Sequence, residues 1–239
     1  MNQGDLQLSP AEAQKRAAGR RAAELVQDGQ IVGIGTGTTV RYLIEALAER
    51  IRGGMSMIGI ATSSGTEMLA HQLGVPLLDL DSSPGPLDIC IDGADEIDPS
   101  LNLIKGLGAA LLREKIVAAA ALRFVVVGDA SKRVSRLDER APVPVAIFPF
   151  GWTTTQARLA SICPRAELRM RGGQPVMTDD GLYIVDCYFG PMSDPRAVER
   201  TLHDTVGVAA TGLFLHWPAP ITALVAREDL SVEELTRRS

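Results

Sequence analysis

The sequence predicts an α/β fold, a Rossmann-like doubly wound parallel sheet domain joined to a smaller ferredoxin-like α+β domain. Three observations predict it. Short apolar runs alternate with helical patterns from Ser9 to about Leu137, the signature of parallel strands linked by crossover helices. From about Asp138 the order becomes β-α-β-β-α-β, which describes a ferredoxin-like unit. Polar loops follow three of the early apolar runs, at the strand ends where open α/β sheets bind ligands. The expected division is 1–137 plus 211–239 for the Rossmann-like part and 138–210 for the smaller part.

Ser9-Pro10-Ala11-Glu12 supplies an N-cap, a proline at the first helical position and an acid in the first turn, so a helix is expected to about Gln27. Lys15, Arg16, Arg20 and Arg21 make that helix basic. Gln30–Gly35 reads as a short buried strand running into Thr36-Gly37-Thr38-Thr39 and then the helical pattern VRYLIEALAERI. Strand, Gly/Thr loop and helix together aim free backbone N–H groups and a helix dipole at an anion; a tight turn without ligand is the plainer alternative. GIGTGTT does not give G-x-G-x-x-G, and the next strand, Met55–Ala61, ends in Thr62-Ser63-Ser64 where an acid would hold a ribose. A nucleotide-dependent oxidoreductase is therefore disfavoured.

Ser64–Leu73 reads as a helix closed by Gly74, Val75–Leu80 as a strand, and Leu87–Ile91 as an apolar strand leading into Asp92. A helix over 109–122 precedes a strand at Phe124–Val127 and the loop Gly128-Asp129-Ala130-Ser131-Lys132. In the second part VPVAIFP forms a strand, Thr153–Ile162 a helix, and Glu167–Arg171 and Val176–Asp186 strands with a turn near Asp179-Asp180-Gly181. Pro195–Thr205 is a helix and Gly207–Leu215 a strand; Ile221–Val225 and Leu230–Ser239 are expected to rejoin the first domain as a strand and a terminal helix.

Composition bounds the function. A chain of 239 residues with 46% hydrophobic and 22% charged residues can bury a sizeable core. A net charge of −5 and a pI near 5.3 argue against a general nucleic-acid footprint, and an anionic substrate would need local positive groups working against that sign. No apolar run approaches the ~20 residues that span a bilayer, and the N-terminus lacks an apolar signal core, so no membrane association and a cytoplasmic location are expected. Cys90, Cys163 and Cys187 are far apart and read as buried small hydrophobes. His71, His203 and His216 have no partner at metal-ligand spacing and are given no chemistry.

The chemistry gathers in Asp92–Lys115, DGADEIDPSLNLIKGLGAALLREK. Asp92 and Asp95 end a strand, placed either to touch ligand hydroxyls or to cap their own turn. The run lacks the alternating spacing of a calcium loop, and no metal is expected. Lys105 precedes a Gly106-Leu107-Gly108 turn that can expose backbone N–H groups to an anion; an ordinary surface lysine is the alternative. Glu114 has Leu111 and Val117 three residues away and Ala110 and Ala118 four away, which sets it on an apolar helix stripe. Desolvation there raises a carboxylate pKa toward the range useful for proton transfer and calls for a neighbour such as Lys105. The alternative is a surface glutamate paired with Arg113 or Lys115. A glutamate base, a lysine, aspartates and a phosphate cradle suggest aldose–ketose isomerisation through an enediolate, with hydrogen-bond donors and a positive group stabilising the oxyanion. Neither hydride nor metal is required.

GIGTGTT, TSSGTE, DGADEID, KGLGAALLREK, GDASK and the late GLF strand occur in that order over essentially the whole chain, and the combination closely resembles the ribose-5-phosphate isomerase A family. The resemblance implies interconversion of D-ribose 5-phosphate and D-ribulose 5-phosphate in the pentose phosphate pathway, with no cofactor, by a homodimer or homotetramer whose partner is a small-molecule sugar phosphate, with no nucleic acid and no membrane. It implies that Glu114 is the general base, that Asp92 and Asp95 hold substrate hydroxyls and assist ring opening, and that Lys105 stabilises charge on the substrate oxygen. Gly93, Ala94, Gly106, Leu107 and Gly108 would line the site. Thr36, Gly37, Thr38 and Thr39 would bind mainly the phosphate, with Lys132 and Lys15 adding contacts. Leu107 stands where many family members carry glycine: leucine is strained there if the backbone needs positive φ and tolerable if only its N–H is used. The chief rival is a non-catalytic sugar-phosphate-sensing domain of the same fold, which has no need of Glu114.

Overall fold

The computed structural model describes residues 8–215 and 217–237; His216 and the last two residues of the expected terminal helix lie outside them. The first part runs α1 (Pro10–Ala23), β1 (Gln30–Ile34), α2 (Thr38–Arg52), β2 (Met57–Ala61), α3 (Ser64–Leu73), β3 (Ile89–Gly93), β4 (Glu96–Ile97), β5 (Leu103–Ile104), α4 (Leu111–Ala119) and β6 (Phe124–Asp129). It continues through β7 (Val143–Ile147), α5 (Trp152–Ala160), β8 (Arg165–Leu168), β9 (Met170–Arg171), β10 (Gln174–Pro175) and β11 (Tyr183–Tyr188). The last elements are α6 (Pro195–His203), β12 (Val208–Thr211), β13 (Leu213–Phe214), β14 (Ile221–Ala226) and β15 (Val232–Arg237).

Local chemistry sets the helix ends. The Ser9 hydroxyl accepts the Glu12 N–H at the start of α1, and Ser63 does the same for Thr66 at the start of α3. Gly74, at φ 77°, closes α3 in the left-handed conformation that glycine adopts without penalty.

The main sheet has the order β15-β14-β6-β3-β1-β2, parallel throughout except for β15 at one edge. Its inner strands are unbroken apolar runs because both faces are covered. On one face α1 and α2 pack Ala22, Leu43 and Leu47 against Val32, Ile34 and Val127. On the other, Val117 and Ala118 of α4 meet Cys90, Val126 and Ala223. The chain leaves β1 toward β2 on one side and returns to β3 on the other, so the crevice at the C-terminal ends of β1 and β3 is the switch point of the sheet.

A second sheet, β12-β7-β11-β8, is antiparallel throughout and is the sheet of the expected ferredoxin-like unit. The three cysteines are buried and free, as expected.

Three expectations are corrected. Val75–Leu80 is not a strand: Leu77 makes a single bridge to Gly59, Pro76 has no N–H to give a ladder, and a short 3-10 turn follows at Leu80–Ser82. Leu230–Ser239 is not a helix over its described residues. Residues 232–237 form β15, paired antiparallel with β14, because the outer side of β14 offers open ladder groups and Asp229 caps the connecting turn through the Ser231 N–H and hydroxyl. Gly207–Leu215 is not one strand. It breaks at Gly212, where a Cβ would lie 2.2 Å from the Lys105 carbonyl, so β12 stays in the antiparallel sheet while β13 joins β5 and β4 in a small third sheet. That third sheet returns the chain by a hairpin, turned by the Asp98 carboxylate accepting the Ser100 and Asn102 amides. The hairpin brings Lys105 back beneath the end of β3.

Candidate active site

The site is built at the ends of β1 and β3. Gly35 leaves β1 with no room for a side chain, since a Cβ there would fall 2.0 Å from Asp92 Oδ1. Asp92 fills that space and is fully buried. Its Oδ1 accepts the Thr36 N–H at 3.0 Å and its own neighbour's, Gly93, at 2.7 Å. Its Oδ2 lies 2.9 Å from Lys105 Nζ.

Lys105 is the centre of the arrangement. Its ammonium donates to the Gly93 carbonyl at 2.5 Å and sits 3.3 Å from Glu114 Oε2. The two carboxylate contacts are close enough for ion pairing but off the hydrogen-bond angle. The Phe214 ring lies 5.5 Å from the same nitrogen, adding a favourable cation–π contact. Burial alone would lower the lysine pKa, but the charges of Asp92 and Glu114 outweigh it and hold the group above its ordinary value, so it stays an ammonium. Burial raises the Asp92 carboxyl, against the pull of Lys105 and the two amides.

Glu114 projects from the first turns of α4 between Leu111, Val117 and Ala118, all buried, and is itself only 3% exposed. Burial, then the like charge of Asp92, push its carboxyl up to about 8, with Lys105 opposing. The competing partners are engaged elsewhere: Arg113 pairs with Asp180 at 2.7 Å, and Lys115 donates to the Thr211 and Leu213 carbonyls.

A cleft of about 90 Å3 opens above this group, lined by the Thr36–Thr39 loop, Gly93–Asp95, Lys105, Gly106, Gly108, Glu114 and Lys132. Its far wall is the N-terminus of α2, which has no side-chain cap. First-turn N–H groups lack intrahelical acceptors, so they are free for an anion. The Thr36 hydroxyl does not face that anion position; it bonds Thr62 and Ser63 at 2.8 Å each. Wider grooves of about 660 and 700 Å3 lie elsewhere on the surface and contain no comparable set of buried ionisable side chains.

Most residues singled out from the sequence meet here, and three do not line the cleft. Asp92 lies beneath it with both oxygens facing protein donors, so contact with sugar hydroxyls is closed to it in this conformation. Leu107 turns its side chain outward and gives its N–H to Asp95 Oδ2 at 2.9 Å. The positive φ angles fall on Gly106 (109°) and Ala109 (61°), so leucine is unstrained at 107. Lys15 pairs with Glu12 at 2.9 Å, and Glu12 also accepts the Tyr42 hydroxyl. Sequence reasoning missed Gly35, the Thr62-Ser63-Thr66 hydroxyl cluster, and Asp179, which accepts the Ser64 N–H at 2.7 Å. A serine just before a helix start, as at Ser63, is a signal that could have found the second; the other two depend on contacts remote in sequence.

An α/β crevice that pairs an anion-binding helix end with a buried, high-pKa carboxylate beside an ammonium defines a proton-transfer enzyme acting on a small anionic substrate. The comparisons with known proteins make this particular. The family model for ribose 5-phosphate isomerase A (phosphoriboisomerase A) matches residues 58–229. A ribose-5-phosphate isomerase A of Deinococcus radiodurans is 46% identical over 228 residues, covering 95% of this chain and 99% of that protein. Among solved structures, ribose 5-phosphate isomerase from Plasmodium falciparum superposes with a TM-score of 0.90 at 34% identity, over 95% of this chain and all of that one. A D-ribose-5-phosphate isomerase solved in complex with phospho-erythronic acid gives 0.89 at 37% identity, over 95% of this chain and 99% of that one. The chain belongs to the ribose 5-phosphate isomerase A family.

Proposed function

We propose that the protein interconverts D-ribose 5-phosphate and D-ribulose 5-phosphate by glutamate-mediated proton transfer through an enediolate. One observation carries the reading: the Glu114 carboxylate, pushed up to about 8, lies 3.3 Å from the Lys105 ammonium on the wall of a cleft that ends at an uncapped helix N-terminus. In the aldose-to-ketose direction the C2–H bond of the open-chain sugar breaks toward Glu114 and negative charge collects on O1, where Lys105 stabilises it. Glu114 then gives its proton to C1 while the O2 proton passes to O1, and the ketose results with all atoms accounted for.

Asp95, from the cleft wall, accepts a sugar hydroxyl and assists ring opening; Asp92 acts from beneath by holding Lys105 and the Thr36 amide. The phosphate sits at the α2 N-terminus near Lys132. Lys15 reaches that phosphate only by exchanging Glu12 for it. The relative's phospho-erythronic acid supports this placement, because a phosphorylated chain ending in a planar two-oxygen group resembles the enediolate. A sugar-phosphate sensor is not favoured, having no use for a buried glutamate with this pKa. The reading includes a cytoplasmic location and assembly as a homodimer or homotetramer; among the described residues no helix is long and apolar enough to cross a membrane.

A coupled assay for ribulose 5-phosphate tests the assignment. Glu114→Gln should lower kcat by about 10²–10⁴-fold with the circular dichroism spectrum unchanged; full turnover would remove Glu114 as the base. Because Lys105 supplies the positive charge, a chelator should leave turnover unchanged, and activity lost on chelation would overturn the metal-free mechanism.

A further inference from the structure

The peptide joining Gly106 to Leu107 is bonded on both sides. Its carbonyl accepts from Arg169 Nη1 at 2.8 Å, and its N–H donates to Asp95 Oδ2 at 2.9 Å. The same Nη1 lies 3.1 Å from the Leu107 carbonyl. Arg169 comes from the other unit of the fold, between β8 and β9, and its backbone is held by the Ile184 carbonyl and the Val176 N–H. Its remaining guanidinium edge forms a two-pronged pair with Asp186 of β11, Nε to Oδ2 at 2.9 Å and Nη2 to Oδ1. Both side chains are largely buried, at 13% and 14% exposure.

We propose that Arg169 is a positioning residue for the isomerisation, acting through the Gly106–Leu107 peptide to hold Asp95 toward the substrate. This rests on the isomerase reading of the site. A trans peptide points its C=O and N–H in opposite directions, so fixing the carbonyl from the antiparallel-sheet side fixes the N–H on the cleft side. A charged donor on the carbonyl also polarises the peptide and strengthens the bond its N–H makes. Leu107 N–H occupies one oxygen of Asp95, which leaves the other to accept from a sugar hydroxyl. Asp186 neutralises Arg169, so the arginine supplies direction and adds little net charge to the cleft. The planar fork is required: four bonds leave Arg169 in two directions within one plane, which a lysine cannot reproduce. Gly106 makes the turn possible at φ 109°, and a Cβ there would meet Leu111 at 2.9 Å.

The test is a double-mutant cycle between Arg169→Met and Asp95→Asn, read in kcat and KM for ribose 5-phosphate and in the Kd of phospho-erythronic acid, with a thermal melt of every variant. A positioning role predicts a loss in kcat/KM of about 10–100-fold for Arg169→Met in the wild-type background, the scale of a misplaced catalytic group. In the Asp95→Asn background the same change should cost less than about threefold, because coupled residues are not additive. Arg169→Lys should behave like Arg169→Met, and it carries the cycle if the methionine variant does not fold. Equal losses in both backgrounds would overturn the proposal and leave Arg169 a brace between the two units. If the wild-type protein bound phospho-erythronic acid without turning over the sugar, the isomerase reading would fall, while the cycle on Kd would still decide the Arg169–Asp95 coupling. If Asp95→Asn left both constants unchanged, the route through Asp95 would be rejected outright.

Discussion

Glu114 carries two pH dependences of different sign. As the proposed base it must be ionised, so kcat/KM should fall about tenfold per pH unit below its value of about 8. Lys105, held above its ordinary value by two carboxylates, should add no descending limb at neutral to mildly alkaline pH. Stability runs the other way. The carboxyl is raised from 4.5 to about 8 in the folded chain, so the folded state binds the proton more tightly than the unfolded one. The stabilisation is fully present below pH 4.5 and is lost as pH rises through about 8. At about 1.4 kcal/mol per pKa unit this is on the order of 3–5 kcal/mol, an upper figure because Asp92 shares the Lys105 ammonium with Glu114. Glu114→Gln, which cannot ionise, should therefore be more stable than wild type at pH 9 and similar at pH 4.5. Urea unfolding at the two pH values checks this, and equal pH dependence in both proteins would place the buried charge elsewhere. The residue proposed to move the proton is thus one that the fold bears at a cost in stability.

At the scale of elements, the site is a strand end, a helix end and a hairpin held in register by small residues. Gly35 is the tightest point, with Asp92 filling the space of its missing side chain. Gly35→Ala should displace Asp92, loosen Lys105, and destabilise the chain by about 1–3 kcal/mol as an overpacked position does, with kcat falling more than KM rises. A variant with wild-type kcat would show that Asp92 does not set the ammonium. Lys132→Ala should instead raise KM and leave kcat nearly unchanged if that lysine contacts the phosphate; an unchanged KM would remove it from the site. The sequence made Glu114 legible because helical periodicity alone places Leu111, Val117 and Ala118 around it. Gly35 was legible only as part of a glycine-rich loop, since the carboxylate that excludes its Cβ lies 57 positions along in β3. The β4–β5 hairpin was hidden as well: two-residue strands carry too little alternation to distinguish them from loop.

At the scale of the molecule, the α/β order and the change of texture near Asp138 were legible because they rest on long periodic segments. How the two units meet was not, since those contacts join single residues across the chain: Arg169 with Gly106, Arg113 with Asp180, Asp179 with Ser64. The terminal residues misread as a helix show the same limit, for β15 forms only because β14 offers it an open edge. Among the described residues, one end of the antiparallel sheet leaves apolar side chains open to solvent. Beyond the end of β7, Phe150 is 97% exposed and Phe148 about half exposed, while the Phe148 N–H bonds the Gly207 carbonyl and so brings exposed Val206 alongside. Three large apolar side chains grouped in solvent are unfavourable for a lone molecule and suit contact with a second copy. The proposed homodimer or homotetramer should therefore use this end of the antiparallel sheet. Sedimentation of the wild-type protein should give two or more copies, and Phe150→Asp should shift the distribution toward one. An assembled Phe150→Asp variant would assign the interface to another face, and a monomeric wild type would remove assembly from the reading altogether.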